Sequence, residues 1–151
     1  MLKSLSILLI LMLSNSALAS SQRSKEEYVA SIIYAEALGQ SDYAKGLVAT
    51  TIWVRSNGDS KKFRKVCSIP KQYARPQRND DKDWQDCLSL AKRMYKGTFT
   101  PLSIKNSKGK WVQPDHFYLY GSTTPFWARG MWQKRVDDLM FLKLGRFRTK
   151  G

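Results

Sequence analysis

The chain has little from which to build a metal or thiol centre. Its 151 residues hold one histidine and two cysteines. That is too few nitrogen and sulfur donors for a zinc site of the usual four-ligand kind. Neither cysteine has a histidine beside it in sequence, which argues against a thiol nucleophile. Glutamate is also scarce: Glu26, Glu27 and Glu36 are the only three among 12 acidic residues. No internal repeat and no low-complexity tract is present, so solenoids and linker-rich arrays are excluded. No metal or cofactor is expected.

Long apolar runs are missing everywhere except at the very start. "MLKSLSILLILMLSNSALAS" carries one lysine, an apolar run from Leu5 to Leu13 and small residues at Ala17 and Ala19. This is the pattern of a secretory signal peptide over residues 1–19, and the run is short for a membrane span. The remaining 20–151, about 132 residues, form one domain with enough chain for a real core, exported to the periplasm or the extracellular space. Without Lys3 the exported part has 25 Lys+Arg against 12 Asp+Glu, a net charge of +13. Such a charge draws a protein to anionic cell-envelope polymers. It also admits nucleic acid, but nuclease chemistry wants a carboxylate cluster or paired histidines, so no specific nucleic-acid partner is expected. A monomer is expected. In an oxidising compartment Cys67 and Cys87 have two readings, a disulfide or two buried free thiols; the bond would add roughly 3 kcal/mol by loop closure.

What is present reads mainly as helix. "SKEEYVASIIYAEALG", residues 24–39, has Ser24 to cap, Glu26 and Glu27 for the first turn and Gly39 to stop it. Val29, Ile32, Ile33 and Glu36 follow the i, i+3, i+4, i+7 spacing of one face. A carboxylate on that face, at the negative end of the helix dipole, should hold its proton unusually tightly. That is a poor structural choice and a good general acid. A second helix is expected over 41–55, a short basic one in "KKFRKV", a loop over 67–83, and a further helix over 81–97 capped by Asp81 or Asp83. "HFYLYG", residues 116–121, reads as a strand, with His116, Tyr118 and Tyr120 on one face. "STTPFWARGMW" reads as a helical turn. Residues 133–147 fit either a hairpin turning at Asp137–Asp138 or a last helix. The fold class is mainly α, α+β, with a minor β portion near the C-terminus.

Several of these segments together resemble a known family, the peptidoglycan-cleaving cell wall hydrolases that include the spore cortex-lytic enzymes and related phage lysis proteins. "IIYAEALGQSDYAKGLVATTIWVRS" is similar to the family's Ala-Glu-Ala-x-Gly helix followed by a second helix closed by Arg. "VCSIPKQYA" is similar to its Val-x-x-x-x-x-Gln-Phe segment, with Tyr73 standing for Phe. "CLSLAKRMYKG" and "HFYLYGSTTPFWAR" resemble later segments. There are departures: Val54 stands where the family has Asn, and its closing Gly-x-His-x-Phe appears as "GRF" without the His.

The resemblance implies a lysozyme-like fold and cleavage of glycan strands between N-acetylmuramic acid and N-acetylglucosamine, with Glu36 as the catalytic acid. It implies Gln72 and Tyr73 near the substrate. Tyr118 and Tyr120 are the strand tyrosines expected to join them in binding sugar. Glycosidases ordinarily use two carboxylates. No second one stands out here; Asp42 is the nearest candidate, and a helix cap explains it. A lytic transglycosylase needs only Glu36, which would first protonate the glycosidic oxygen and then take the proton of the muramyl 6-hydroxyl, giving a 1,6-anhydro product. The alternatives are a water-using muramidase with Asp42 as partner, and a non-enzymatic secreted cationic wall-binding protein.

Overall fold

In the computed structural model, residues 23–70 and 72–145 are described; the expected signal peptide lies outside them. The chain folds as a small mixed α+β domain with its β portion at the C-terminal end. Among the described residues no helix is long and apolar enough to cross a membrane.

Helix α1 (Lys25–Ala37) begins in a full capping box: Ser24 Oγ accepts from the Glu27 N–H and the Glu27 carboxylate accepts from the Ser24 N–H, both at 3.1 Å. The expected single apolar face is exceeded. Ala30, Ser31 and Tyr34 are buried as well as Val29, Ile32, Ile33 and Ala37, because α1 is central among the described helices and packs against the three others. Helix α2 (Asp42–Arg55) is capped by Ser41 and is buried without interruption from Ala44 to Ile52. After a 3-10 turn (Ser60–Lys62) comes the short α3 (Phe63–Cys67). Helix α4 (Lys82–Lys96) is capped by Asp81, whose carboxylate accepts from the Trp84 N–H at 2.8 Å and the Tyr34 hydroxyl at 2.7 Å. Asp81, and not Asp83, is therefore the cap, and it ties α4 to α1. Gly97 ends α4 at φ 73°, the left-handed conformation that glycine adopts without a Cβ penalty.

The β portion is two small antiparallel sheets. Strands β1 (Ile104–Lys105) and β2 (Trp111–Val112) form a two-stranded ribbon. Strands β3 (His116–Leu119), β4 (Lys134–Val136) and β5 (Leu139–Leu142) form a sheet in the order β3-β5-β4. Of the two readings of the C-terminal segment the hairpin is the observed one, turning at Asp137 with φ 51°. Its buried residues Leu139, Phe141 and Leu142 sit on the middle strand and close the core. A 3-10 turn at Phe126–Ala128 fills the expected place.

Cys67 and Cys87 are both free and buried, which corrects the disulfide reading. Each packs as a small apolar side chain in the helical core. Burial pushes both thiols up to about 12.

Candidate active site

Glu36 lies in the last turn of α1 and is half-buried. Its Oε1 accepts a short hydrogen bond from the backbone N–H of Ala74. That is its one hydrogen bond, and it has no ion pair among the described residues. Burial raises its pKa, and the Ala74 N–H offsets that only in part. The direction is the one expected from the position of Glu36 in sequence. The cause is desolvation, the first of the mechanisms that shift a carboxyl.

The connection that follows Glu36 is fastened from three sides. The Gly39 N–H donates to Asp83 at 3.0 Å, the Ser41 N–H donates to Asp137 at 2.9 Å, and the Asp138 N–H donates to Gln40 Oε1 at 3.0 Å. Helix α4 and the tip of the β4–β5 hairpin thus hold the turn next to the acid. Asp83 is itself held by Lys45, a buried lysine whose Nζ lies 2.6 Å from Asp83, 3.3 Å from Asp42 and 3.6 Å from Asp86. Asp42 is therefore engaged in a lysine-centred cluster.

A cleft of about 940 Å³ opens between the end of α2, strand β3 and the 3-10 turn. Arg55, at the end of α2, and Gln72 form one wall; Tyr118 and His116 of β3 form another; Phe126 and Trp127 of the 3-10 turn form a third. The walls are largely aromatic. Trp127 lies 5.1 Å from the His116 ring and 6.0 Å from Tyr118, edge-on to the latter. Phe126 is 85% exposed, an unusual position for a phenylalanine outside a binding surface. No carboxylate lines this cleft among the described residues.

The expected site residues divide. Gln72 and Tyr118 line the cleft, and each makes a short hydrogen bond, Gln72 Oε1 accepting from Arg55 and the Tyr118 hydroxyl donating to Gln133. Tyr73 does not line it. Its ring packs on Phe117, and its hydroxyl pairs with Thr51 Oγ1 at 3.2 Å, so it supports the wall from behind; burial pushes that hydroxyl up to about 12. Tyr120 is not there either. The strand ends at Leu119, and Tyr120 is exposed beneath Arg135, whose guanidinium is 3.6 Å from the ring centroid. Period-two alternation fails once the strand stops. Glu36 is not among the lining residues. It is joined to the cleft by residues 72–74, one end of which lines the wall at Gln72 while the other donates to the carboxylate at Ala74.

Arg55 and His116 also line the cleft; sequence reasoning put His116 on the face of Tyr118 without giving it a place in the site, and did not single out Arg55. Asp115 is fully buried and accepts from His116 Nδ1 at 2.8 Å, from the Leu144 N–H at 2.8 Å and from the Gly145 N–H at 2.9 Å, with Lys143 Nζ at 3.6 Å. Burial alone would raise the Asp115 carboxyl; these donors outweigh it and hold the pKa below the ordinary range. A carboxylate only accepts, so Nδ1 carries the proton and the ring is oriented at the cleft wall. The signal was the Asp-His pair at residues 115–116. Thr50 and Thr51 bond back to Gly46 and Val48 within α2.

Compared with protein-family models, with curated proteins and with solved structures, the chain matches none.

Proposed function

We propose that the chain is a peptidoglycan-cleaving glycosidase that works as a lytic transglycosylase, with Glu36 as its single acid and base. The observation that carries this reading is the isolation of Glu36. It is a half-buried carboxyl with a raised pKa and one backbone donor. The aspartates near the helices are committed elsewhere. Asp59 and Asp81 cap helices, Asp42, Asp83 and Asp86 surround Lys45, and Asp80 pairs with Arg78. Asp115, Asp137 and Asp138 fasten the C-terminal segment and the turn after α1. That each of them has another partner supports a mechanism with one carboxylate. The resemblance of the Ala-Glu-Ala helix to the cell wall hydrolases supports the same chemistry.

Glu36 in its protonated form gives its proton to the glycosidic oxygen as the muramyl–glucosaminyl bond breaks. The resulting carboxylate takes the proton of the muramyl 6-hydroxyl as that oxygen closes on the anomeric carbon. Proton and charge return to the start, and no water is consumed. The aromatic walls suit sugar ring faces. The net charge of +13 favours the anionic envelope in which such a strand is found.

Digestion of purified peptidoglycan by the wild-type protein and by Glu36→Gln, read by mass spectrometry, tests this. Anhydro-ended muropeptides from wild type alone are expected. Reducing muramyl ends would mean a muramidase and return attention to Asp42. Lysis undiminished in Glu36→Gln would leave the cationic wall-binding reading in its place.

A further inference from the structure

Most of the cations drawn into packed or paired positions have a carboxylate. Lys45 has three within 3.6 Å. Arg78 pairs with Glu27 at 3.3 Å and Asp80 at 3.2 Å. Lys143 and His116 share Asp115. Arg55 is different. It is half-buried and lines the cleft, yet among the described residues it pairs with no carboxylate. Its partners are neutral: it donates to the Gln72 side-chain oxygen and bonds the Tyr73 hydroxyl, and its guanidinium stands 5.6 Å from the centroid of the Tyr73 ring.

A guanidinium offers five N–H donors in a planar fork, and Gln72 and Tyr73 leave several of them for a ligand. Withdrawing such a cation from water without a counter-ion is unfavourable. The C-terminal dipole of α2 explains a basic residue at this position, but an exposed side chain would serve the dipole equally well. It does not explain a guanidinium turned into a cleft and braced by Gln72 and Tyr73. The arrangement is that of a receptor for an anion, and the planar fork suits a carboxylate. The other walls, Trp127, Phe126 and Tyr118, suit the flat apolar face of a sugar ring.

We propose that Arg55 is the specificity-determining residue of this cleft, receiving a carboxylate carried on the lactyl arm of the muramyl sugar. This rests on the glycan-cleaving reading above and names what the cleft selects: acid-bearing strands over neutral ones. A neutral β-linked glycan fills the aromatic walls and leaves Arg55 without a counter-ion. A muramyl strand supplies one, from the lactyl acid itself or from the peptide attached to it. The geometry couples this recognition to the acid. Gln72, which accepts from Arg55, and Ala74, which donates to Glu36, are two residues apart in one segment. A carboxylate seated on Arg55 therefore bears on the segment that holds Glu36.

The test is a binding measurement that needs no turnover. The probes are the glucosaminyl–muramic acid disaccharide and its dipeptide-bearing form, each as the free acid and as the methyl ester; neither holds a muramyl–glucosaminyl bond to be cut. Titration calorimetry of the wild-type protein at pH 7 is expected to give at least one acid bound about tenfold more tightly than its ester, the size of a charge-assisted hydrogen bond. The acid that shows the preference identifies the source of the carboxylate. Arg55→Gln and Arg55→Met are expected to bring acid and ester within twofold, the acid losing more affinity than the ester. A Tm within a few degrees of wild type is the control for folding, and the pair of variants keeps a folded uncharged form in hand. Arg55→Lys is expected to keep part of the preference, and Lys92→Gln, an exposed charge on α4, all of it. Equal binding of acid and ester by wild type overturns the proposal. So does a preference that survives in both uncharged variants, or one lost as much in Lys92→Gln, which would mean diffuse charge. Failure of the Glu36 reading shows separately, as strand cleavage by Glu36→Gln, and leaves these ratios untouched.

Discussion

Asp115 is the buried charge on which the C-terminal side of the cleft depends. Replacing it with alanine removes the acceptor of the Leu144 and Gly145 N–H groups and of His116 Nδ1. Stranding a buried donor costs about 1–3 kcal/mol. Leu144 is half-buried and Gly145 is exposed, so water recovers part of that loss. A total of about 3 kcal/mol follows, which for a domain of this size lowers Tm by roughly 10 °C. Asp115→Asn keeps one acceptor oxygen and should cost about half as much. The effect carries a pH signature. The carboxyl titrates lower in the fold than in the unfolded chain. Its contribution is therefore fully present above the unfolded pKa of about 3.9 and is lost as pH falls through the folded value. Urea unfolding of wild type and both variants at pH 7 and again near pH 3 should show the gap shrink on acidification. A gap under about 1 kcal/mol at pH 7, or one equal at both values, would refute the role given to this carboxylate.

Three further outcomes follow from the same geometry. Glu36 titrates higher in the fold than in the unfolded chain, so its contribution is present below the ordinary carboxyl pKa and is lost as pH rises through the folded value; Glu36→Gln should gain stability relative to wild type between about pH 4 and pH 7, and parallel Tm curves across that window would count against its burial. Cys67 and Cys87, buried with thiols near 12, should resist a thiol reagent at pH 8 in the folded protein and both react in guanidinium, whereas an intact mass two daltons below the reduced value would show a disulfide. Trp127→Ala should weaken muramyl disaccharide binding about tenfold, in the range of a lost aromatic stacking contact, while Tyr120→Ala leaves it unchanged; a loss at Tyr120 would place the sugar outside the cleft.

The helical half of the molecule was legible along the chain because its signals are local. Ser24 with Glu27, Ser41, Asp81 and Gly97 mark helix ends through bonds between residues three or four apart, and these depend on nothing distant. The position of Glu36 on an otherwise buried face was visible for the same reason, and with it the direction of its proton affinity. The C-terminal segment was ambiguous because Asp137–Asp138 suits a turn while "VDDLMFLK" also fits a helix; docking of that turn on Gln40 and Ser41, nearly one hundred residues away, selects the hairpin. Of the cleft, sequence offered Gln72 and Tyr118 but not the way the walls assemble. Arg55 ends one helix, Gln72 lies in a loop, His116 and Tyr118 share a strand, and Trp127 sits in a short turn. Only packing brings these five together. Whether Tyr73 and Tyr120 face substrate, and whether two cysteines twenty residues apart bond, was likewise decided by the direction in which neighbouring elements pack. The sequence determined the caps, the helices, the charge and the misplaced carboxyl, since each is a matter of nearest neighbours; the tertiary structure alone decided which side chains share a cavity, because that depends on contacts between residues far apart in the chain.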